Sequence, residues 1–296
     1  MSLPADPAAH RAGWHWDSVY PALAKLNLFL HVVGRRNDGY HLLQTLFRFI
    51  DHGDSLRFSP RRDGKLHLVK PLPGVPPEAD LCLRAARLLR DVSGCRKGVD
   101  IHVEKRLPMG GGLGGGSSDA ATVLLALNHL WRLYLPRQRL QALGLSLGAD
   151  VPVFLFGRNA FAEGVGEILH GIDLPPAWYV VLEPPISIPT ADIFSAPELR
   201  RNTPPIPSSR NISWSPGFGR NDLEPVAVRH FPVLAEYLAW LSHFGAARMT
   251  GSGACIFAEF PTHEAAQAVI DVLPTGMRGW LAEGLTAHPL RTLATD

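Results

Sequence analysis

Nowhere in the 296 residues do about 18 apolar residues follow one another, so no segment has the length and apolarity of a membrane-spanning helix. The opening MSLPADPAAHRAGWHWD has no basic start leading into an apolar run, and neither export nor membrane insertion is expected. Cysteine is scarce. Cys82, Cys95 and Cys255 are far apart, odd in number and outside any CxxC, which argues against a disulfide framework and a zinc site and fits a reducing cytoplasm. HExxH and comparable histidine spacings are missing, so no resident metal is expected. The longest runs of Lys or Arg are pairs such as Arg35–Arg36 and Arg61–Arg62, and the formal charge is only +2. A nucleic-acid-binding protein would carry a denser basic stripe.

What is present describes a folded enzyme-sized chain. Hydrophobic residues make up 46% against 19% charged, far from the composition of disordered proteins, and the length suggests two packed domains. No internal repeat of fixed period occurs.

The stretch to about Trp16, rich in Ala, Pro and His without periodicity, reads as a loosely ordered extension. AKLNLFLHVV then alternates, which places Leu26, Leu28, Leu30 and Val32 on one face of a strand and Lys25, Asn27, Phe29 and His31 on the other. Spacing alone allows the Lys25–Asn27 face to be simply solvated. Gly34 and Asn37-Asp38-Gly39 supply turn conformations, followed by Tyr40 and His41. Residues 46–50, 55–58 and 99–103 read as short strands, and 81–89 has helical spacing. Ala120, Val123, Leu124, Leu127, Leu130 and Trp131 form an apolar stripe, the mark of an amphipathic helix. Pro136 opens another helix ending at Gly148. Prolines cluster beyond Gly171, which marks a domain boundary, and 202–220 is an irregular loop rich in Pro, Ser and Asn. A helix from Pro232, a strand, the turn Thr250-Gly251-Ser252-Gly253, a strand over 254–259 and a helix from His263 complete the chain.

The segment RLPMGGGLGGGSSDAA carries the strongest chemistry, with six glycines in the seven residues 110–116. Each ordered glycine costs roughly 0.5–1 kcal/mol relative to Ala, so a close-packed ligand or backbone must compensate. Polyphosphate suits such a loop, because backbone N–H groups can converge on its oxygens and a following helix points its positive end there. Ser117 or Ser118 can cap that helix or reach a phosphate or its metal. Walker A is excluded, since no GK[ST] closes the loop. The Rossmann pattern is formally matched by Gly110, Gly112 and Gly115, yet residues 120–149 contain no Asp or Glu to hold a ribose. A flexible hinge would not require a strand before the loop and a helix after it.

PMGGGLGGGSSDAA resembles the phosphate loop of the GHMP kinases, named for galactokinase, homoserine kinase, mevalonate kinase and phosphomevalonate kinase. AKLNLFLHV, GRRNDGYH, LGADVPVF, AEGVGE and MTGSGACIFAEF agree in order, over residues 21–260, and are most similar to the branch acting on 4-diphosphocytidyl-2-C-methyl-D-erythritol. That resemblance implies an α/β (α+β) fold in two domains: a nucleotide-binding α/β domain over 1–172 and a ferredoxin-like α/β sandwich over 173–296. It implies ATP with Mg²⁺ as co-substrate and the cytidyl compound as acceptor, with no nucleic acid or membrane partner. Asp150 is then the catalytic base and Lys25 the partner that keeps it ionised. Pro108, Met109, Gly110, Gly111, Gly112, Leu113, Gly114, Gly115, Gly116, Ser117 and Ser118 bind ATP, joined by Gly251, Ser252 and Gly253. Tyr40 stacks on the cytosine, His41 hydrogen-bonds it, and Asn27 and Thr190 contact the sugar-diphosphate part. Taken alone, Asp150 in GADVP would be a cap or turn residue, His41 a surface residue and Tyr40 a core one. One departure is Asp80, which stands where the branch usually has Asn and is assigned no role. The alternatives are a GHMP kinase for homoserine, a sugar or a mevalonate derivative, or a non-catalytic nucleotide-binding module.

Overall fold

The computed structural model describes residues 13–207 and 214–296. Its spine is a hairpin of β1 (Tyr20–Arg35) and β2 (His41–Arg61), closed by a turn in which Arg36 N–H donates to the Tyr40 carbonyl at 2.7 Å. Only Gly39 of that turn takes a left-handed backbone (φ 92°), so Gly34 and Asn37-Asp38 do not supply the conformations read from the sequence. The two short strands expected over 46–50 and 55–58 are one. The polar stretch between them is absorbed: Gly53 packs where a Cβ would lie 2.4 Å from the Ala22 carbonyl, and Asp54 accepts the N–H groups of Arg106 and Leu107.

The strict alternation of β1 also fails. Register breaks between Asn27 and Leu30, so Leu26, Leu28 and Phe29 enter one apolar cluster whereas Leu30 and Val32 enter another. A bulge adds an unpaired residue and re-aims the side chains beyond it. Leu30 thereby joins Lys25 and Asn27 on the wall of the main cavity.

The chain continues through β3 (Leu66–Leu68), α1 (Leu81–Ser93), β4 (Gly98–Glu104), α2 (Gly115–Leu130), α3 (Arg137–Leu145) and α4 (Val151–Phe156). Next come β5 (Ala160–Glu163), β6 (Ile168–Gly171), β7 (Trp178–Glu183), α5 (Thr190–Ser195), α6 (Glu224–His230) and α7 (Val233–Ser242). The C-terminal part holds β8 (Arg248–Met249), β9 (Ile256–Phe260), α8 (His263–Asp271), β10 (Arg278–Leu285) and a 3-10 helix, Pro289–Leu293. The described strands form one mixed sheet in the order β3-β4-β2-β10-β7-β9-β8, with β1 and the β5–β6 hairpin also on β2. Strand β10 links the halves by pairing with both β2 and β7. Among the described residues, no helix is long and apolar enough to cross a membrane.

Helix α2 is buried at every position from Ser118 to Asn128, so in place of the expected amphipathic stripe the helix is enclosed on all sides, the polar Ser118, Asp119, Thr122 and Asn128 included. It packs with α1, α4 and the inner faces of β1 and β2 around Phe49, Phe58 and Phe154. The extension expected up to Trp16 falls outside the described residues as far as residue 12. Trp14 and Trp16 are packed against this core, Trp14 stacking on Tyr20 at 5.0 Å. The loop over 202–220 has no helix or strand among its described residues, and 208–213 lie outside them. Thr203 and Asp222 tie its ends to β1, where the Asp222 carboxylate accepts the Val32 N–H at 2.8 Å and the Thr203 hydroxyl at 2.6 Å.

The C-terminus returns to the N-terminal core. Arg137, buried, donates to the carbonyls of Leu155 (2.6 Å), Arg291 (2.7 Å) and Ala294 (2.7 Å) and pairs with Asp296. Charge-assisted bonds of this kind leave costly unpaired carbonyls when the donor is removed. Arg137→Ala is expected to lower unfolding free energy by about 2–4 kcal/mol in urea titrations; a loss below about 1 kcal/mol would mean that this guanidinium does not hold the terminus.

Candidate active site

The glycine loop folds tightly because its neighbour leaves no room for side chains. Gly110, Gly112 and Gly114 have φ of 68°, 73° and 73°, and a Cβ on Gly112 would lie 2.0 Å from the Thr250 carbonyl. Two backbone bonds staple the Thr250–Cys255 turn onto it: Ala254 N–H to the Gly110 carbonyl at 2.9 Å and Cys255 N–H to the Gly111 carbonyl at 3.1 Å. The Thr250-Gly251-Ser252-Gly253 turn therefore lies against the glycine loop. Helix α2 starts directly at Gly115, after a left-handed Gly114, with no side-chain cap. Its first-turn N–H groups and dipole meet the cavity of about 960 Å³ that the loop lines.

Lys25 sits at the loop's inner side, almost fully buried. Its ammonium donates to Asn27 Oδ1 at 2.5 Å and the Gly112 carbonyl at 3.0 Å, and lies 3.4 Å from Asp150 Oδ2 and 5.5 Å over the Phe47 ring. The solvated-face reading of Lys25 and Asn27 is thereby removed. Asn27 is anchored from both ends, its amide nitrogen donating to the Thr45 hydroxyl at 2.8 Å. Asp150 occupies the N-cap position of α4 but makes no capping bond; its carboxylate is two-fifths exposed and turned to Lys25. A cap residue would have spent that carboxylate on helix N–H groups.

The same cavity brings together Pro108 to Ser117, Gly251, Ser252, Asn27, Tyr40, His41 and Thr190. Ser118 and Gly253 stand behind this lining. The Ser118 hydroxyl donates to the Leu23 carbonyl at 2.7 Å, and Gly253 faces Met249 and Ile188. The Thr190 and Ser252 hydroxyls bond each other at 2.8 Å, which joins the far wall to the loop. Tyr40 is 62% exposed on the cavity rim, so it is not a core residue. His41 is half-buried, tilted against Phe194 at 5.1 Å, and accepts from Arg201, so it is not a free surface residue.

Sequence reasoning passed over a charged group under the loop. Lys105, on the cavity wall, pairs with the buried Asp54 and with buried Asp119 at 2.8 Å, while Asp119 Oδ1 has no hydrogen-bond partner among the described residues. Asp80, also buried and lining the cavity, caps α1 by accepting the Leu83 N–H at 2.9 Å. Burial and then the neighbouring Asp54 push Asp119 up to about 7 in spite of Lys105. Burial opposes the Lys105 charge, but Asp119 and Asp54 outweigh it and raise its pKa. Lys105 immediately before the loop and Asp119 one turn into the helix were the available signals; neither belongs to a spacing pattern that names a partner.

Two family models match the sequence, GHMP kinases N terminal domain over residues 80–158 and GHMP kinases C terminal over 208–279. The chain belongs to the GHMP kinase family. Among curated proteins it is 61% identical over 277 residues to the 4-diphosphocytidyl-2-C-methyl-D-erythritol kinase of Dechloromonas aromatica, covering 93% of this chain and 100% of that one. The protein of the same name from Thiobacillus denitrificans is 61% identical over 274 residues, covering 93% and 98%. A crystal structure of 4-(cytidine 5'-diphospho)-2C-methyl-D-erythritol kinase superposes with a TM-score of 0.78 at 37% identity, covering 90% of this chain and 99% of that one. A mevalonate kinase structure, at 14% identity and TM-score 0.64 over 90% and 99%, shares the fold.

The raised Asp119 gives a stability test with a defined sign. Folded protein holds a proton on Asp119 that the unfolded chain has already released between about pH 4 and 7, so this group costs stability as pH rises through that window. Asp119→Asn should therefore gain on the wild type in melting temperature from pH 5 to 8. Parallel melting profiles for the two proteins would show that Asp119 ionises without cost.

Proposed function

We propose that the protein transfers the γ-phosphoryl group of ATP to the 2-hydroxyl of 4-diphosphocytidyl-2-C-methyl-D-erythritol, a step in non-mevalonate isoprenoid-precursor synthesis. The names carried by relatives 61% identical over nearly the whole chain support the substrate, and the Lys25–Asp150 pair beside the phosphate loop supports the chemistry. That pair is the observation on which the reading rests. Phosphoryl transfer asks the protein mainly for positioning and charge stabilisation, with one group to take the hydroxyl proton.

In this reading ATP lies over Pro108 to Ser117 with its phosphates at the α2 N-terminus. Asp150 orients the acceptor hydroxyl and takes its proton, and Lys25, held by Asn27 and the Gly112 carbonyl, stabilises the negative charge of the transferring group. Mg²⁺ enters as part of the ATP substrate, held chiefly by phosphate oxygens, with the Ser117 hydroxyl on the cavity wall beside them. Tyr40 and His41 hold the cytosine, and Thr190 and Asn27 lie along the sugar-diphosphate part. Residues 1–172 and 173–296 are the two domains, and both contribute to the cavity, the first through Lys25, His41 and Asp150, the second through Thr190, Gly251 and Ser252. The free cysteines Cys82, Cys95 and Cys255 support a reducing, cytoplasmic site of action.

A homoserine, sugar or mevalonate-type kinase would keep the loop and the Lys25–Asp150 pair but have no use for a base-reading Tyr40 and His41. ADP release from ATP and Mg²⁺ with the cytidyl acceptor, homoserine, galactose and mevalonate separates these readings. Turnover with the cytidyl acceptor alone is expected. Turnover with another acceptor would replace the substrate assignment, and ATP binding without turnover would favour a non-catalytic module. Asp150→Asn should reduce kcat by about 10²–10⁴-fold with little change in melting temperature, since its carboxylate is partly exposed. Wild-type turnover in that variant would remove Asp150 as the base.

A further inference from the structure

Asn221 is buried just ahead of α6 and is not one of the residues that line the cavity. Its carboxamide nitrogen donates to the Met249 carbonyl at 2.8 Å and to the Gly251 carbonyl at 2.7 Å, while its Oδ1 accepts the Leu223 N–H at 3.0 Å. Its main chain forms a parallel bridge with Leu30, in which the Leu30 N–H donates to the Arg220 carbonyl at 2.9 Å and the Leu30 carbonyl accepts the Asp222 N–H at 2.8 Å. One residue thus joins β1, just past its bulge, to the turn that follows β8.

The two carbonyls held by Asn221 flank Thr250. Gly251 has a left-handed φ of 55°, and the Met249 N–H is taken by the Glu224 carboxylate at 2.7 Å, so the backbone is fixed on both sides of the threonine by side chains of the 221–224 segment. Thr250 is fully buried, and its hydroxyl accepts the Asn27 N–H at 3.0 Å and donates to the Gly112 carbonyl at 3.3 Å. Asn27 Oδ1 and the Gly112 carbonyl are in turn the two oxygens that hold the Lys25 ammonium, 3.4 Å from Asp150. The glycine loop has separate bonds to the same turn, from the Ala254 and Cys255 N–H groups to the Gly110 and Gly111 carbonyls. Loosening Thr250 therefore acts on the ammonium first and leaves those loop contacts in place.

We propose that Asn221 is a positioning residue for phosphoryl transfer: by holding the carbonyls on both sides of Thr250 it aims the Thr250 hydroxyl, and through Asn27 and Gly112 it sets where the Lys25 ammonium stands beside Asp150. The inference rests on the proposed role of the Lys25–Asp150 pair. Two carbonyls need two donors from one planar group, and the Leu223 N–H needs an acceptor from that same group. Asparagine supplies all three, whereas an ionised aspartate of the same shape turns acceptors toward acceptors. The movement that follows can be small, because a displacement of about 1 Å near the reacting groups is enough to cost about two orders of magnitude in rate. A residue that only stabilised the fold would change the amount of folded protein and leave turnover per folded molecule intact.

The test measures kcat and the KM for ATP by ADP release, with whichever acceptor the wild type turns over and melting curves to give the folded fraction. The variants are Asn221→Asp, Asn221→Ser, Thr250→Val, Thr250→Ser and the double variant Asn221→Asp with Thr250→Val. Both Asn221 variants and Thr250→Val should lower kcat per folded molecule by about 10–100-fold, with the KM for ATP within about threefold of the wild type. Thr250→Ser keeps the hydroxyl and should retain most of the turnover. Since the asparagine acts through that hydroxyl, the double variant should match the slower single variant within about threefold. Wild-type kcat in either folded Asn221 variant overturns the proposal, and so does a double variant in which the two losses multiply. Wild-type kcat in Thr250→Val overturns it even if neither Asn221 variant folds. Wild-type protein that binds ATP and turns over no acceptor overturns the kinase reading itself, a result distinct from a failure of the Asn221 inference.

Discussion

The Gly112 carbonyl is the point on which the site depends. It accepts from the Lys25 ammonium at 3.0 Å and the Thr250 hydroxyl at 3.3 Å, and Thr250 Oγ1 in turn accepts the Asn27 N–H at 3.0 Å. Three segments far apart in sequence, β1, the phosphate loop and the 250–255 turn, are thereby fixed at one atom. Closeness of backbones makes this possible, and only glycine at 112 permits it, with a left-handed φ and a neighbouring carbonyl where a Cβ would be. Lys25 N–H donates to the Leu113 carbonyl at 3.1 Å, so the strand carrying that lysine also defines the inner edge of the loop. The proposed catalytic and nucleotide-binding parts are in this sense one backbone structure. A distortion in either moves both, and displacements of about 1 Å are enough to cost two orders of magnitude in rate.

Electrostatics at the loop arise from burial. A helix N-terminus and Lys25 favour anions on the cavity side, while beneath the loop Asp54 and Asp119 share one ammonium, Lys105. Two carboxylates and one ammonium leave an excess negative charge in a poorly solvated place, and the protein answers by raising Asp119 rather than by adding a second cation. Asp54 also gathers the Arg106 and Leu107 N–H groups, which sets the direction in which the chain enters the loop. The cluster's first effect is therefore geometric.

The sequence disclosed what local chemistry dictates. Six glycines in seven residues, the Lys25–Asn27 spacing on a strand and the Thr250 to Gly253 turn could be read because each needs a particular residue type at a particular place. Most helices and strands were legible for the same reason. Three features were not. The bulge between Asn27 and Leu30 reverses the faces of β1 without any Gly or Pro to mark it. Continuity of β2 through Asp51-His52-Gly53-Asp54 depends on partners, Ala22, Arg106 and Leu107, that are invisible from within the strand. Burial of α2 on every side is set by the elements that surround it. Tertiary packing decided all three, overriding a local pattern that was correctly read.

The acceptor end differs in kind from the phosphate end. The glycine loop offers main-chain groups and a helix N-terminus, which side-chain substitution scarcely alters, whereas Tyr40, His41, Phe194 and Arg201 are side chains drawn from two distant segments. Asp222 and Thr203 brace those segments against β1, and the Thr190–Ser252 bond ties the acceptor wall to the turn that holds the loop. The two ends of the cavity are thus built from different materials, backbone at the glycine loop and side chains around Tyr40 and His41. In the proposed reading, acceptor choice falls to the side chains around Tyr40 and His41, while the backbone packing at Gly112 holds Lys25 and the glycine loop in one fixed arrangement.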